Sequence, residues 1–443
     1  MRRFVGRYGR AKSVALFAAA GVLAASAALL PLSAGASSKI HLTLWQQWGS
    51  TGPNAVALNA AIKQYEKLNP NVTITSTYVT NDAKILAAIS GGNPPDLIDL
   101  GTSIQVGGWA AAGALLPLNS YVKASGLKTS IYAPAAVKAV TEGGSLYGLP
   151  FMDFNAGLLY NKKLFKAAGL NPNDPPTTTA QLYADAVKLT KTNSSGEITQ
   201  LGFLPAWPGV ANGQTATLET LGWVFGGNWT SGSTPTATKA GNLAALKWED
   251  SFYQKFGAQK MASFASSAGA YLTATDPFFT GKLAMTFDGP WVLAFMKSTN
   301  PSMVPNIGIE PFPATPGKPS SAGTTFLDTN PQVIPRGSSN PQAAFNFIKW
   351  ETTNVPLATS FANTVFNVPQ LLSAKAPSYP FASIFVKEAN SNNAHSWNQS
   401  CYSSTYQIDL SNAESQVVLG KSTPSAALKA LQSSALSAQS SCP

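Results

Sequence analysis

Ile40-His41-Leu42-Thr43-Leu44-Trp45, Val72-Thr73-Ile74-Thr75 and Pro95-Asp96-Leu97-Ile98-Asp99-Leu100 decide the fold. The first two segments alternate apolar and polar side chains, and each of the three reads as a strand. Between the first pair, residues 53–68 place Leu58, Ile62, Tyr65 and Leu68 at helical spacing and stop at Asn69-Pro70. Residues 82–90 form a second helix. Strand, helix, strand, helix, strand predicts an α/β fold on a parallel sheet. Further helices are predicted near 104–113, 131–141, 161–168, 178–192, 214–224, 239–256, 276–282, 341–352 and 424–438, with surface loops at 226–238 and 313–325.

Upstream of that first strand, Arg2, Arg3, Arg7, Arg10 and Lys12 precede an uncharged apolar run from Val14 to Leu30, and Ala34-Gly35-Ala36 follows. A charged start, an apolar middle and a small-residue exit form a secretory signal peptide over 1–36, cut after Ala36. An uncleaved anchor helix is the alternative reading of the same run. Of 30 basic residues five go with the leader, leaving 25 against 20 acidic ones, a net charge near +5. Charged residues are only 11% of the chain and no Lys or Arg block follows residue 12, so a nucleic-acid footprint is absent. In an oxidising compartment the two cysteines, Cys401 and Cys442, are expected to pair and to pin the C-terminal tail.

Removing 36 of 443 residues leaves 407, more than one hydrophobic core normally supports, so two lobes are expected. Only two histidines occur, His41 in the first strand and His395 in a loop, so a metal site built on His and Cys has little to draw on. No Gly-x-Ser-x-Gly elbow, P-loop or Gly-x-Gly-x-x-Gly is present, and nothing around either histidine suggests a triad. Neither a cofactor nor a metal is expected. A secreted glycosidase needs only two carboxylates and stays a distant alternative. Low charge beside ten Trp and many amide and hydroxyl side chains suits a surface that binds neutral polar molecules.

Several ordered segments resemble the family 1 extracellular solute-binding proteins, relatives of maltose-binding protein. They are Gly91-Gly92-Asn93-Pro94-Pro95-Asp96-Leu97, Gly113-Ala114-Leu115-Leu116-Pro117-Leu118, Leu146-Tyr147-Gly148-Leu149-Pro150, Leu158-Leu159-Tyr160-Asn161-Lys162-Lys163-Leu164-Phe165, the run Phe279 to Trp291 ending in Asp288-Gly289-Pro290-Trp291, and Ala343-Ala344-Phe345-Asn346-Phe347-Ile348-Lys349. A lipobox cysteine is missing near the cleavage site. The resemblance implies a two-lobed periplasmic-binding-protein-like α/β fold with crossovers near Pro150 to Asn155, Asp288 to Trp291 and Pro335 to Gly337. Lobe one then takes 39–151 plus 288–334, and lobe two 156–285 plus 338–443. It also implies a monomer outside the cytoplasm that captures a sugar in the interlobe cleft and delivers it to the permease of an ABC importer. Glycerol 3-phosphate or another small polar solute is the alternative.

A pyranose offers apolar C–H faces and a rim of hydroxyls, so its site needs aromatic plates and planar amides or carboxylates. Trp291 occupies the position that the resemblance gives to stacking, with a core role as the alternative. Asp288 either accepts hydroxyl protons or caps the following helix. Gln47 and Trp48 end the first strand, where a doubly wound sheet places ligand loops, whereas Trp45 inside that strand reads as core. Thr102 and Ser103 follow the third strand and serve either the cleft or a turn. Asp153 and Asn155 sit at the first crossover. Trp207 is a loop aromatic and a second candidate plate. Trp397, Tyr402 and Tyr406 lie where the resemblance adds C-terminal aromatics. Arg336 reads as an anion partner or a surface residue.

Overall fold

The computed structural model describes residues 39–206, 218–397 and 399–442. The proposed leader and Trp207 lie outside the described residues. Two five-stranded sheets, each with a core of its own, organise the chain.

The first sheet runs in the order Val72–Tyr78, Ile40–Gln46, Leu97–Asp99, Asp328–Val333, Gly148–Phe154. Its first three strands are parallel, as the strand and helix alternation predicts, and the last two add antiparallel pairings. Period-2 geometry sends Leu42 and Leu44 inward, both fully buried, while His41 faces out. Asp96 pins the third strand to the first by accepting from the backbone N–H of Thr43 at 2.8 Å and its hydroxyl at 2.9 Å. The helix Gly52–Leu68 starts with Pro53 in its first turn, where a missing N–H costs nothing, and buries Leu58, Ala61, Ile62 and Tyr65. Asn81 caps the helix Asp82–Ser90 by accepting from the Lys84 N–H.

The second sheet runs Ile307–Glu310, Gly157–Asn161, Leu283–Asp288, Ile198–Phe203, Lys191–Thr192. The chain passes into it between Gly148–Phe154 and Gly157–Asn161, at the first expected crossover. The other two expected crossovers are corrected. At Asp288 to Trp291 a strand of the second sheet ends and the helix Trp291–Thr299 begins, and both pack in the second core. At Pro335 to Gly337 the chain stays in the first half, with Pro335 bridged to Leu115 and the Arg336 N–H donating to the Ala114 carbonyl.

Residues 288–310 therefore belong with the second core, and 341–365 with the first, the reverse of the expected assignment. The physical reason is long-range pairing. Leu283–Asp288 is held on both sides, antiparallel to Gly157–Asn161 and parallel to Ile198–Phe203. The helix Pro341–Thr353 turns Phe345, Phe347 and Ile348 into the first core, where Phe347 meets Tyr65 edge-on at 5.0 Å. Residues 276–282 form turns rather than a helix, because the Asp276 carboxylate takes the N–H groups of Leu272 and Phe278. Cys401 and Cys442 are joined by a disulfide, their Cα atoms 5.8 Å apart, which ties the start of the helix Ser403–Val418 to the end of the helix Pro424–Ser440. Among the described residues no helix is long and apolar enough to cross a membrane.

Candidate ligand-binding site

The carboxyl ends of the first sheet's parallel strands carry a continuous strip of amides, hydroxyls and carboxylates, the place where open α/β sheets bind ligands. Gln47 accepts from the Gly101 N–H at 3.1 Å and donates to Asp82 at 2.9 Å, and Gln105 donates to the other oxygen of Asp82 at 3.1 Å. Thr102 donates to Gln105 at 3.4 Å. Asn330 donates to the Gly101 carbonyl. Ser103 turns both its N–H and its hydroxyl onto the Asp328 carboxylate. Planar groups that already share partners hold their orientation, so a hydroxylated ligand meets them without a reorganisation cost.

The second half meets this strip from two directions. Glu219, in the first turn of the helix Leu218–Val224, lies close enough to Asp328 that burial and that neighbouring charge push its carboxyl up to about 8, partly offset by the Trp397 indole beside it. Gln399 donates to the Ser103 hydroxyl at 3.2 Å. On the other side, Phe295, one turn along from Trp291, crowds Gly52, where a Cβ would fall 2.7 Å from its ring. The middle of the helix Trp291–Thr299 thus packs against the first residue of the helix Gly52–Leu68.

Trp291 and Asp288 act as one unit. The indole N–H of Trp291 donates to the Tyr271 hydroxyl at 2.9 Å, and that hydroxyl donates to Asp288 at 3.0 Å. Asp288 also accepts from the Gly289 N–H at 2.8 Å. The six-membered ring lies against Gly289, where any Cβ would come within 1.8 Å of it. Trp291 is only 6% exposed, and its ring belongs to the second core. Tyr271 was not anticipated from sequence, since nothing local connects it to a tryptophan twenty residues on.

Other sequence candidates fall elsewhere. Trp48 packs in the first core, stacked on Phe151 at 5.9 Å and edge-on to Phe361 at 5.1 Å, with its N–H donated to the Leu100 carbonyl. Trp45 is the half-buried one, with the Lys84 ammonium 5.8 Å from its ring centre. Asp153 pairs in register with Thr329, one position past Asp328, so alternation sends it to the opposite face. There burial first, and then the Asp153 charge, raise Tyr379 and Glu388. Asn155 donates to the Phe385 carbonyl on that same back face. Tyr406 is fully buried, donates to the Trp229 carbonyl at 2.9 Å and takes Trp397 edge-on at 5.1 Å. Tyr402 donates to the Ser233 carbonyl. Arg336 donates to the Gly113 carbonyl at 2.7 Å, a structural link. Trp397, Gln47, Thr102 and Ser103 are therefore brought together with Glu219, Asp328, Asn330 and Gln399, whereas Trp48, Asp153 and Asn155 are not. Among the described residues no group of three or more His, Cys, Asp or Glu gathers as a metal site.

Residues 48–355 match the family model for bacterial extracellular solute-binding proteins. The chain belongs to that family. This solute-binding protein is 34% identical to CpMnBP1 with mannotriose bound, at a TM-score of 0.80 over 89% of this chain and 100% of that one. Its match to the maltose/maltodextrin-binding domain MalE from Bdellovibrio bacteriovorus, at 21% identity and TM-score 0.73 over 90% and 99% of the two chains, shows the shared two-lobed fold. Among curated relatives, the maltotriose-binding protein of Pyrococcus abyssi is 25% identical over 73% of this chain and 66% of its own length. The sn-glycerol-3-phosphate-binding periplasmic protein of Brucella abortus is 28% identical over 40% of this chain and 41% of its own. The solute-binding protein thus spans just under two thirds of the first relative and less than half of the second.

Proposed function

We propose that this solute-binding protein captures a short neutral saccharide between its two halves and delivers it to the permease of an ABC importer. The observation that carries the reading is the 34% identity to CpMnBP1, with mannotriose bound, over nearly all of both chains. The site supports it. The Gln47, Thr102, Ser103, Asp328 and Asn330 strip supplies the amides and carboxylate that sugar hydroxyls need, and Trp291 and Trp397 are proposed as the aromatic plates. Trp207 is proposed as a further plate.

A phosphate ester is disfavoured by charge. Asp82 and Asp328 are part of the strip, and their carboxylates would repel a dianion where it needs Arg or a helix N-terminus. The protein is proposed to act as a monomer outside the cytoplasm after its leader is cut behind Ala36. Binding is its whole chemistry in this reading, with no catalytic step.

Thermal shift of the mature chain with mannobiose, mannotriose, maltotriose and sn-glycerol 3-phosphate tests the reading. At a hundredfold excess over Kd a bound saccharide adds about 2.7 kcal/mol of stability. Stabilisation by a mannosyl or glucosyl oligosaccharide supports it. Stabilisation by the phosphate ester with no response to any sugar overturns it.

A further inference from the structure

We infer that Gln399–Ser404 is a disulfide-held clasp that ties the second half of the molecule to the helix Ile104–Ala111 and sets affinity in the cleft by favouring closure. This rests on the saccharide-capture reading for its consequence, but the clasp itself is a matter of contacts.

Ile104–Ala111 follows the third strand of the first sheet and packs Val106 and Trp109 against Ile98, Leu100 and Val333. The helix Ser403–Val418 belongs to the second core through Tyr406, Leu410 and Val417. Where the two meet, the first helix presents Gly107 and Gly108. A Cβ on Gly107 would fall 2.5 Å from the Ser400 carbonyl oxygen and 2.8 Å from the Ser400 nitrogen, and one on Gly108 2.9 Å from the Ser404 hydroxyl. Backbone therefore lies against backbone, and any other residue at 107 forces the two apart.

Three polar contacts fill the gap the glycines leave. The Gln399 amide spans it, accepting from the Gly107 N–H at 3.0 Å and donating to the Ser103 hydroxyl at 3.2 Å. Ser404 donates to the Ile104 carbonyl at 2.8 Å. Ser103 is in turn held by Asp328, so the clasp ends on a residue of the ligand strip.

On its own side the segment is anchored directly by two contacts, and the helix it is bonded to adds a third. Cys401 is bonded to Cys442, Tyr402 donates to the Ser233 carbonyl, and Gln439 donates to the same carbonyl at 2.8 Å. An anchored segment can press on the glycine face with little further loss of chain entropy, whereas a free one would have to be ordered at each closure. The clasp favours the closed arrangement, and any ligand held only there gains apparent affinity in proportion to the closed fraction.

Hydrogen exchange on the full oxidised chain, followed through residues 103–111, reads the clasp with no ligand present. Gln399→Ala and the double variant Cys401→Ala/Cys442→Ala should each speed exchange at Gly107 by roughly tenfold or more, with residues 52–68 unchanged. Titration with mannotriose should then show Gly107→Ala and Gln399→Ala binding roughly tenfold more weakly. Unchanged exchange at Gly107 in Gln399→Ala overturns the clasp, and so does faster exchange with unaltered mannotriose affinity. If the wild-type chain binds neither mannotriose nor mannobiose, the saccharide reading fails while the exchange experiment still decides the clasp.

Discussion

Trp291 donates its indole N–H to the Tyr271 hydroxyl at 2.9 Å, so the plane of the ring is set by a hydrogen bond and not by packing alone. Tyr271 passes the constraint on to Asp288 at 3.0 Å. Tyr271→Phe keeps the aromatic volume and removes both links. The expected outcome is a stability loss of about 1–3 kcal/mol, the range for disrupting buried hydrogen bonds, with weaker saccharide binding. Isothermal titration and thermal melting on one preparation check it. Unaltered affinity would mean that the orientation of Trp291 does not matter to the ligand.

Burial of Trp291 changes what its removal should do. Because the ring is part of the second core, Trp291→Ala should lower stability by about 3–5 kcal/mol as well as weaken binding, and so cannot by itself separate packing from recognition. Trp291→Phe leaves a smaller void and retains part of a stacking face. Apo melting temperature and mannotriose affinity, measured for both variants, should fall in the order wild type, Phe, Ala.

Much of the first half was legible in the sequence because its signals are local. The strands at Ile40–Gln46 and Val72–Tyr78 alternate, and the helix between them is stopped by Asn69-Pro70. What misled was the run Asp288-Gly289-Pro290-Trp291, which reads as a crossover. Only the pairing of Leu283–Asp288 with Gly157–Asn161, more than a hundred residues apart, assigns it to the second sheet. The site was legible where it follows a strand end, as at Gln47, Thr102 and Ser103. Glu219, Asp328 and Gln399 escaped notice because they become neighbours only through the tertiary fold. Trp48 misled for a similar reason: it follows the first strand, but its ring folds back over Phe151 instead of facing outward.

Gly289 offers a sharper probe of the tryptophan. A methyl group there would lie 1.8 Å from the Trp291 ring, so Gly289→Ala must displace the indole. Loss of mannotriose binding with a marked fall in stability is expected. In a double-mutant cycle, Gly289→Ala should cost much less in a Trp291→Ala background, because the clash has gone. Additive effects would show that the glycine is needed for its backbone and not for the ring above it.

The last expectation concerns pH. Glu414 and Glu249 face each other in the second core, each fully or nearly fully buried, with Tyr253 and Asp250 as the other titratable groups around them. Burial raises both carboxyls, Glu414 to about 7 and Glu249 well above its ordinary value, where the Glu414 charge adds to the effect. In the unfolded chain each titrates near the ordinary glutamate value, so between that value and neutrality the folded protein binds more protons than the unfolded one. Stability is then fully present below about pH 4.5 as far as these groups are concerned, and falls as pH rises through 7. Glu414 alone should contribute a loss on the order of 2–3 kcal/mol between pH 5 and pH 8. Glu414 also accepts from the Leu218 N–H at 2.8 Å, at the start of the helix that carries Glu219. Glu414→Gln keeps an acceptor for that N–H and removes the titration. Melting temperatures at pH 5 and pH 8 should therefore differ clearly in the wild type and less in Glu414→Gln, where Glu249 still titrates. An equal pH slope in both would show that Glu414 does not contribute to the acid preference.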